Sequence, residues 1–135
     1  MGLTITSVEA IPVRAPRTKP MISAGGHAPL RVSDFGIVRI RTSDGIEGVG
    51  EISMNGGRTG AIQCDDVNRL IGPAIVGQDP TQLRSLVMLL DRTLDGSEPA
   101  KAGVEMALID IIGKVRGLPA YDVLGGRVRD RAFIR

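Results

Sequence analysis

The feature that most constrains this fold is a change of hydrophobic period near the middle of the chain. Residues 35–42 and 46–52 alternate between apolar and polar side chains, as strands do, and Ser43-Asp44-Gly45 between them is a short hairpin signal. Residues 3–14 are also rich in β-forming residues. In that segment Ile11 and Val13 are out of phase with the apolar residues before them, which indicates a bulge, and Pro12 favours an edge strand.

From residue 67 onward the apolar residues recur at helical spacing. A first helix over residues 67–75 is expected to break or kink at Gly72-Pro73. A second helix is predicted to begin with Asp79 as its N-cap, and a third follows Ser97 and ends at Gly117. Strands first and helices afterwards predict an α+β fold, in which a three-stranded antiparallel meander is followed by a bundle of about three helices.

Composition excludes several function classes. The chain has 135 residues, a formal net charge of +2 and three aromatic residues, so it offers one domain without a base-stacking platform or a basic helix, and no nucleic-acid partner is expected. Neither a membrane-length apolar run nor a signal peptide is present. Cys64 is the single cysteine, which excludes an intramolecular disulfide. We therefore expect a cytoplasmic protein that has no membrane partner.

Residues 16–33 form the segment that the period analysis leaves without a strand or a helix. This long connection contains three prolines and the only histidine, His27. No acidic residue occurs from Ala10 to Ser33, whereas Arg14, Arg17, Lys19 and Arg31 supply four positive charges. A basic loop of this kind suits an anionic small molecule.

The short motifs assemble no catalytic site. Gly48-Val49-Gly50 resembles the start of a dinucleotide-binding fingerprint but lacks its third glycine and its strand–helix context, so close packing of a strand is the better interpretation. His27 has no second histidine and only one cysteine in the chain to join it, which excludes a zinc site. Lys101 with Glu105 and Asp110 with Lys114 have ion-pair spacing on the third helix. No catalytic residue and no metal ligand is predicted within the chain.

A longer motif carries a family resemblance. Residues 100–110, with the sequence AKAGVEMALID, are followed by Gly113-Lys114, by Pro119 and by Leu124-Gly125-Gly126. This pattern resembles a signature of mandelate racemases and muconate lactonizing enzymes of the enolase superfamily, from which Ala120 and Val123 are small departures. The hairpin over residues 39–51 is similar to the second and third strands of that family, and the resemblance extends from Ile5 to about Arg131.

The resemblance implies a domain organisation and a chemistry. Residues 1–126 would form an N-terminal capping domain, and residues 127–135 would begin the first strand of a TIM-type barrel that lies outside this chain. In the family, the barrel holds a Mg²⁺ ion on three carboxylates and carries the Lys or His acid/base residues that remove a proton α to a carboxylate. The metal ligands and the acid/base residues are therefore expected beyond Arg135. Without that barrel the chain should not catalyse the family reaction.

The resemblance also implies where a substrate would be selected. Two loops would cover the mouth of the barrel and contact a small carboxylate substrate. The candidate substrate-binding residues are Met21, Ile22, Ser23 and His27 in the first loop, and Met54, Asn55 and Arg58 in the second. The expected parent enzyme is an isomerase (a racemase, epimerase or cycloisomerase) that forms homo-oligomers. The alternatives are an acid-sugar dehydratase and a standalone α+β binding module without a catalytic role.

Overall fold

A computed structural model describes residues 2–22, 29–53, 59–131 and 133. In this part of the chain three strands, β1 (Ile5–Met21), β2 (Leu30–Thr42) and β3 (Glu47–Ile52), form one antiparallel sheet in the order β1-β2-β3. The tight turn predicted at Ser43-Asp44-Gly45 joins β2 to β3, and Gly45 adopts a positive φ of 87° there. The meander is confirmed.

Helices fill the second half of the chain. They are α1 (Gly60–Asp66), a π-helical turn (Val67–Ile71), α2 (Gly72–Ile75), α3 (Leu83–Thr93), α4 (Glu98–Arg116) and α5 (Ala120–Val123). α1, the π-helical turn, α2 and α4 pack on one face of the sheet, whereas α3 and α5 pack on other helices, which confirms the α+β architecture. The core between the layers is aliphatic, with Val38 and Ile40 of β2, Ile52 of β3 and Leu108 and Ile111 of α4 fully buried.

The longest helix begins and ends where the sequence predicted. Ser97 precedes α4 in a left-handed conformation, and Gly117 ends it with a φ of 64°. Gly48 and Gly50 of β3 lie against the backbone of α4 at Ala107 and Gly103, with Gly50 nearer the start of the helix. The helix therefore runs antiparallel to β3, and its C-terminal end lies beside the β2–β3 turn.

The described residues of segment 16–33 are mostly strand rather than loop, so the prediction of a long irregular connection was wrong for residues 16–21 and 30–33. β1 continues to Met21 and β2 begins at Leu30, with a register shift between the Pro16–Val32 and Met21–Leu30 pairs. The residues of this extension are largely exposed on both faces, because cross-strand pairing rather than burial holds them. Without a buried face, the segment has no hydrophobic alternation to reveal a strand.

The bulge predicted around Ile11 and Val13 was also wrong. The register runs without interruption from Ser7 to Pro16, and the neighbouring irregularity lies between Ile5 and Ser7. Ile11 and Val13 are 39% exposed because they lie on the outer face, opposite Ile37 and Phe35. The change of alternation at Ile11 and Val13 therefore reflects apolar residues on the outer face of the sheet. Pro12 lies on an edge strand as expected.

The helical boundaries before α4 differ from the prediction as well. The first helix starts at Gly60 rather than near residue 67, and Gly72-Pro73 does not break it, because the π-helical turn precedes Pro73. Asp79 caps a turn instead of a helix, since its carboxylate accepts hydrogen bonds from the Thr81 N–H at 2.8 Å and the Thr81 hydroxyl at 2.7 Å. The second helix, α3, begins only at Leu83.

Candidate functional site

Two connections leave the sheet at the same end. Gly36 pairs with Pro12 on one side and with Ile52, the last residue of β3, on the other. Beyond that level, residues 13–21 of β1 and 30–35 of β2 continue as a two-stranded ribbon, here called the arm. The connection that follows β3 starts beside the base of the arm. The last described residues before the two predicted substrate loops, Ile22 and Ser53, therefore lie towards the same end of the sheet.

A cleft of about 430 Å³ lies at the base of the arm. Arg14 and Asp34 line one part of it and form an ion pair at 2.8 Å, while Phe35 and Ala61 supply apolar surface. Gly60 makes the approach of α1 possible, because a Cβ at this position would overlap the Phe35 carbonyl. The cleft thus joins the arm to the start of the first helix, and its lining is both apolar and charged.

The structure describes two of the seven predicted substrate-binding residues. Met21 is 43% exposed and Ile22 is 74% exposed, and both lie at the tip of the arm, away from the core. The other five lie outside the described residues: Ser23, His27, Met54, Asn55 and Arg58. These two exposed apolar side chains are available to contact a ligand or another domain at this end of the sheet.

The net positive charge of the arm is smaller than the four basic residues counted between Ala10 and Ser33, because Arg14 is paired. Asp34 follows that segment directly, and its carboxylate binds the Arg14 guanidinium. The remaining basic residues of the arm are Arg17, Lys19 and Arg31. An excess of positive charge therefore persists along the arm, which favours the approach of an anion.

Glycine serves packing rather than phosphate binding in the Gly48-Val49-Gly50 motif. A Cβ at Gly48 would overlap the Ala107 carbonyl oxygen, and one at Gly50 would overlap that of Gly103. The two glycines let β3 and α4 approach backbone to backbone, which confirms the interpretation as a closely packed strand.

The polar residues of the helix motif bind the free edge of β3. The Val49 N–H donates to the Asp110 carboxylate at 3.0 Å, and Lys114 donates to the Glu47 carbonyl at 2.6 Å. Lys114 also pairs with Asp110 at 2.8 Å, as its spacing predicted. The motif is thus explained by edge pairing, which needs an acceptor and a donor one helical turn apart.

Lys101 has other partners than the spacing predicted. Its ammonium group pairs with Asp91 of α3 at 2.9 Å and with Glu98 at 3.3 Å, so the pairing with Glu105 was wrong. These hydrogen bonds raise the pKa of Lys101, the one to Asp91 most, against the opposing effect of burial. Lys101 thus links α4 to α3. Its ammonium group pairs with the Asp91 carboxylate of α3 rather than with Glu105, one turn further along its own helix.

No reactive nucleophile or metal centre is formed by the described residues. Cys64 is 2% exposed, and burial raises the pKa of its thiol, which disfavours the thiolate that nucleophilic chemistry requires. In residues 2–22, 29–53 and 59–131, no three His, Cys, Asp or Glu side chains are grouped so that they could hold a metal ion. These residues therefore do not fit the Mg²⁺ site that the resemblance implies. No described helix is long and apolar enough to cross a membrane.

One polar contact was missed by the sequence analysis. Asn68, in the π-helical turn, accepts a hydrogen bond from the Ala10 N–H at 2.8 Å and donates one to the Ala10 carbonyl at 2.9 Å. A weak signal was available, since asparagine is a poor residue for the interior of a helix and therefore invites a search for a polar partner. Its partner on β1 lies 58 residues away, which no local pattern reveals.

Comparisons with known proteins agree with this architecture. The family model for the mandelate racemase / muconate lactonizing enzyme N-terminal domain matches residues 6–125. Muconate cycloisomerase 1 of Pseudomonas putida is 34% identical over 96% of this chain and 36% of its own length. N-succinyl-L-Arg/Lys racemase of Bacillus cereus is 30% identical over 95% of this chain and 35% of its own length. The relatives further include D-mannonate and D-galactonate dehydratases.

A solved structure shows the same fold. The muconate lactonizing enzyme from Pseudomonas fluorescens complexed with muconolactone superimposes with a TM-score of 0.89 at 33% identity, covering 96% of this chain and 36% of that one. The chain thus spans about 36% of the length of the first relatives that it matches. With its three-stranded meander, its helices and its edge-binding motif, this chain belongs to the mandelate racemase / muconate lactonizing enzyme family, as an N-terminal domain of the enolase superfamily.

Proposed function

We propose that residues 1–126 cap the active site of an enolase-superfamily enzyme and select its substrate, and that residues 127–135 lead into a C-terminal barrel domain. The observation that carries this proposal is the likeness over 96% of the chain to muconate cycloisomerase 1, of which the chain spans 36%. The departure of β1 and β3 towards the same end of the sheet supports it. Mg²⁺, which the described residues do not fit, belongs in this proposal to the C-terminal domain.

In the proposed role, the arm and the connection after β3 close over the substrate. The candidate contacts are Met21, Ile22, Ser23 and His27 on one side and Met54, Asn55 and Arg58 on the other. The exposed Met21 and Ile22 would exclude water from the distal part of the substrate, while the basic arm would attract its carboxylate. The domain then contributes to specificity, and the barrel supplies the proton transfer.

An isomerase is the reaction class that we favour. The cycloisomerase and the racemase among the relatives are 34% and 30% identical to this chain, whereas a cis-3-hydroxy-L-proline dehydratase that matches a similar share of the chain is 28% identical. Both reaction types are served by removal or return of a proton α to a carboxylate, so a capping domain can remain similar while the product differs. A dehydratase shares that proton transfer and differs in losing water afterwards.

The test uses the full-length protein that contains this chain, incubated in D₂O with muconate, N-succinyl-L-arginine or D-galactonate and followed by NMR. Deuterium at the carbon next to the carboxylate, in substrate or product, is the expected result. A lactone or a racemised substrate identifies an isomerase, and a 2-keto acid identifies a dehydratase and overturns the isomerase assignment. An absence of exchange with all three carboxylates would contradict proton transfer α to the carboxylate of these substrates.

A matched pair of variants tests the role of the arm. Ile22→Glu places a charge at the tip of the arm, and we expect a loss of about tenfold or more in kcat/KM, mainly through KM. Met88→Glu makes the same change at a position that is 50% exposed on α3, away from the arm, and should leave kcat/KM unchanged. Equal effects of the two substitutions would contradict substrate contact by the arm.

A further inference from the structure

We infer that Asn68 is a positioning residue, whose side-chain amide holds the root of the arm in place. The inference rests on the proposed function for what the arm does, but its geometry stands by itself. The Asn68 amide accepts from the Ala10 N–H at 2.8 Å and donates to the Ala10 carbonyl at 2.9 Å, so it occupies the position of a neighbouring strand residue. Ala10 is 3% exposed, and the two bonds are therefore sheltered from competing water.

Beyond Ala10, the outer edge of β1, which faces away from β2, offers few backbone N–H donors. The N–H and C=O of Ala10 point away from β2 towards Asn68, and the register is regular from Ser7 to Pro16, so Pro12 and Pro16 direct their nitrogen atoms the same way. Proline has no N–H to offer at these two positions. Among hydrogen bonds between described residues, those of Asn68 are the last along β1 that come from outside the hairpin.

The helix is adapted locally to deliver this contact. The Gly72 N–H bonds to the Val67 carbonyl five residues earlier, which closes the wide π-helical turn that contains Asn68. A Cβ at Gly72 would lie 3.3 Å from the Cβ of Val8, so glycine lets the helix approach β1 here. Wide turns of this kind often mark functional positions in helices. Covering β1 with apolar surface would not require a two-point amide contact at this place.

A small change of angle at the Asn68–Ala10 contact would move the tip of the arm by a larger distance. Ala10 pairs with Val38 and Met21 pairs with Leu30, so the span between them corresponds to eight residues of β2, or about 27 Å. A tilt of about 5° at Ala10 would therefore displace the tip by about 2 Å over that length. Such a displacement is large compared with the tolerance of a substrate contact, so the Asn68 contact sets where Met21 and Ile22 lie.

The first measurement is amide hydrogen exchange in the unmodified chain, and it contains its own control. The N–H groups of Ala10 and Arg14 both point away from β2, and between the described residues only that of Ala10 has an acceptor there. We expect the Ala10 N–H to exchange about 100-fold more slowly than the Arg14 N–H. Equal exchange rates would show that the contact does not persist and would overturn the inference.

The second measurement follows the arm directly. Cys64 is 2% exposed, so cysteines introduced at Met21 and Met88 are the accessible thiols for two spin labels. We expect a narrow distance distribution by pulsed electron paramagnetic resonance, which Asn68→Leu broadens about twofold under conditions where circular dichroism shows a folded chain. Arg69→Ala is the control, because Arg69 lies on the same turn and pairs with Asp65.

A folded Asn68→Leu variant with an unchanged distribution would show that Asn68 only stabilises the fold, which would overturn the inference. Neither readout involves a substrate. If the arm widens in Asn68→Leu while Ile22→Glu leaves catalysis unchanged, the proposed function of the arm fails and the positioning role stands.

Discussion

At the scale of single residues, three glycines determine how closely the sheet and its main helix approach. Gly48 and Gly50 of β3 and Gly103 of α4 each lack a Cβ that would overlap backbone or core side chains of the opposite element. Because backbone atoms cannot move aside as a flexible side chain can, this contact tolerates no added atom. The glycines were visible in the sequence, but their partner element was not.

Gly50→Ala should be the most destabilising single-methyl change on β3. The added Cβ would overlap the Gly103 carbonyl oxygen, and we expect the free energy of unfolding to fall by about 3 kcal/mol or more. Urea denaturation measures the change. Gly2→Ala is the matched control, since a Cβ there meets nothing within 4 Å, and it should change stability by less than about 0.5 kcal/mol. Similar losses in both variants would contradict the packing explanation.

Asp79 should contribute to the acid sensitivity of the fold. Hydrogen bonds from the Thr81 hydroxyl and N–H hold the pKa of this carboxyl below its ordinary value of 3.8. The stability that it provides is therefore present above about pH 4 and is lost as the pH falls through the lower pKa of the folded state.

We expect Asp79→Asn to show a shallower loss of stability between about pH 5 and pH 2 than the unmodified chain, because the amide keeps an acceptor but does not titrate. Urea denaturation across this range makes the comparison. Thr81→Val removes the hydroxyl donor and should give an intermediate slope. A slope as steep as that of the unmodified chain in Asp79→Asn would contradict the assignment.

At the scale of elements, the predictable parts are those with one buried face. The inner residues of β2 and β3 and the apolar stripe of α4 are buried, so their period was visible and these elements were predicted. The arm has no buried apolar face, and the start of α1 depends on a glycine packed against Phe35. Tertiary contacts decide both, which is why the sequence showed a loop at 16–33 and a late start of the first helix.

The free edge of β1 should pair with the edge of another chain when its prolines are replaced. Pro12 and Pro16 deny an incoming strand two N–H donors. Pro12→Val combined with Pro16→Thr should restore both donors, with concentration-dependent self-association as the result, measured by sedimentation velocity. Pro99→Ala, in the first turn of α4 where a missing N–H is harmless, is the control. A monomeric double variant at high concentration would show that the prolines do not protect this edge.

At the scale of the whole molecule, apolar surface collects near the C-terminal end of α4. Val115, Leu118 and Tyr121 are each more than 40% exposed, and Leu124 is 68% exposed. A domain that caps a barrel would leave such surface uncovered when it is produced alone.

We therefore expect the isolated chain to bind a hydrophobic dye such as anilinonaphthalene sulfonate. Leu124→Asp should reduce the fluorescence, whereas Thr93→Asp, a polar position on α3, should not. A monomer without dye binding would favour the standalone binding module over a capping domain.

Magnesium should not stabilise the chain itself. The described residues contain no group of three metal-ligating side chains, so we expect no Mg²⁺ site among them that would add binding energy to folding. Adding millimolar MgCl₂ or excess EDTA should move Tm by less than about 1 °C in differential scanning calorimetry. A concentration-dependent rise with Mg²⁺ would contradict the placement of the metal in the C-terminal domain.

The antiparallel course of α4 along β3 determines the end of the domain from which the chain continues. The arm projects from one end of the sheet, while α4 delivers the chain to the other end, where α5 packs beside it. The 19-residue helix is about 28 Å long and is joined to β3 through backbone contacts at both glycines. The chain that follows α5 therefore continues, through residues 127–131, from the end of the domain opposite the arm. The apolar side chains at the tip of the arm and the segment that leads towards the proposed barrel are thus separated by the sheet and α4.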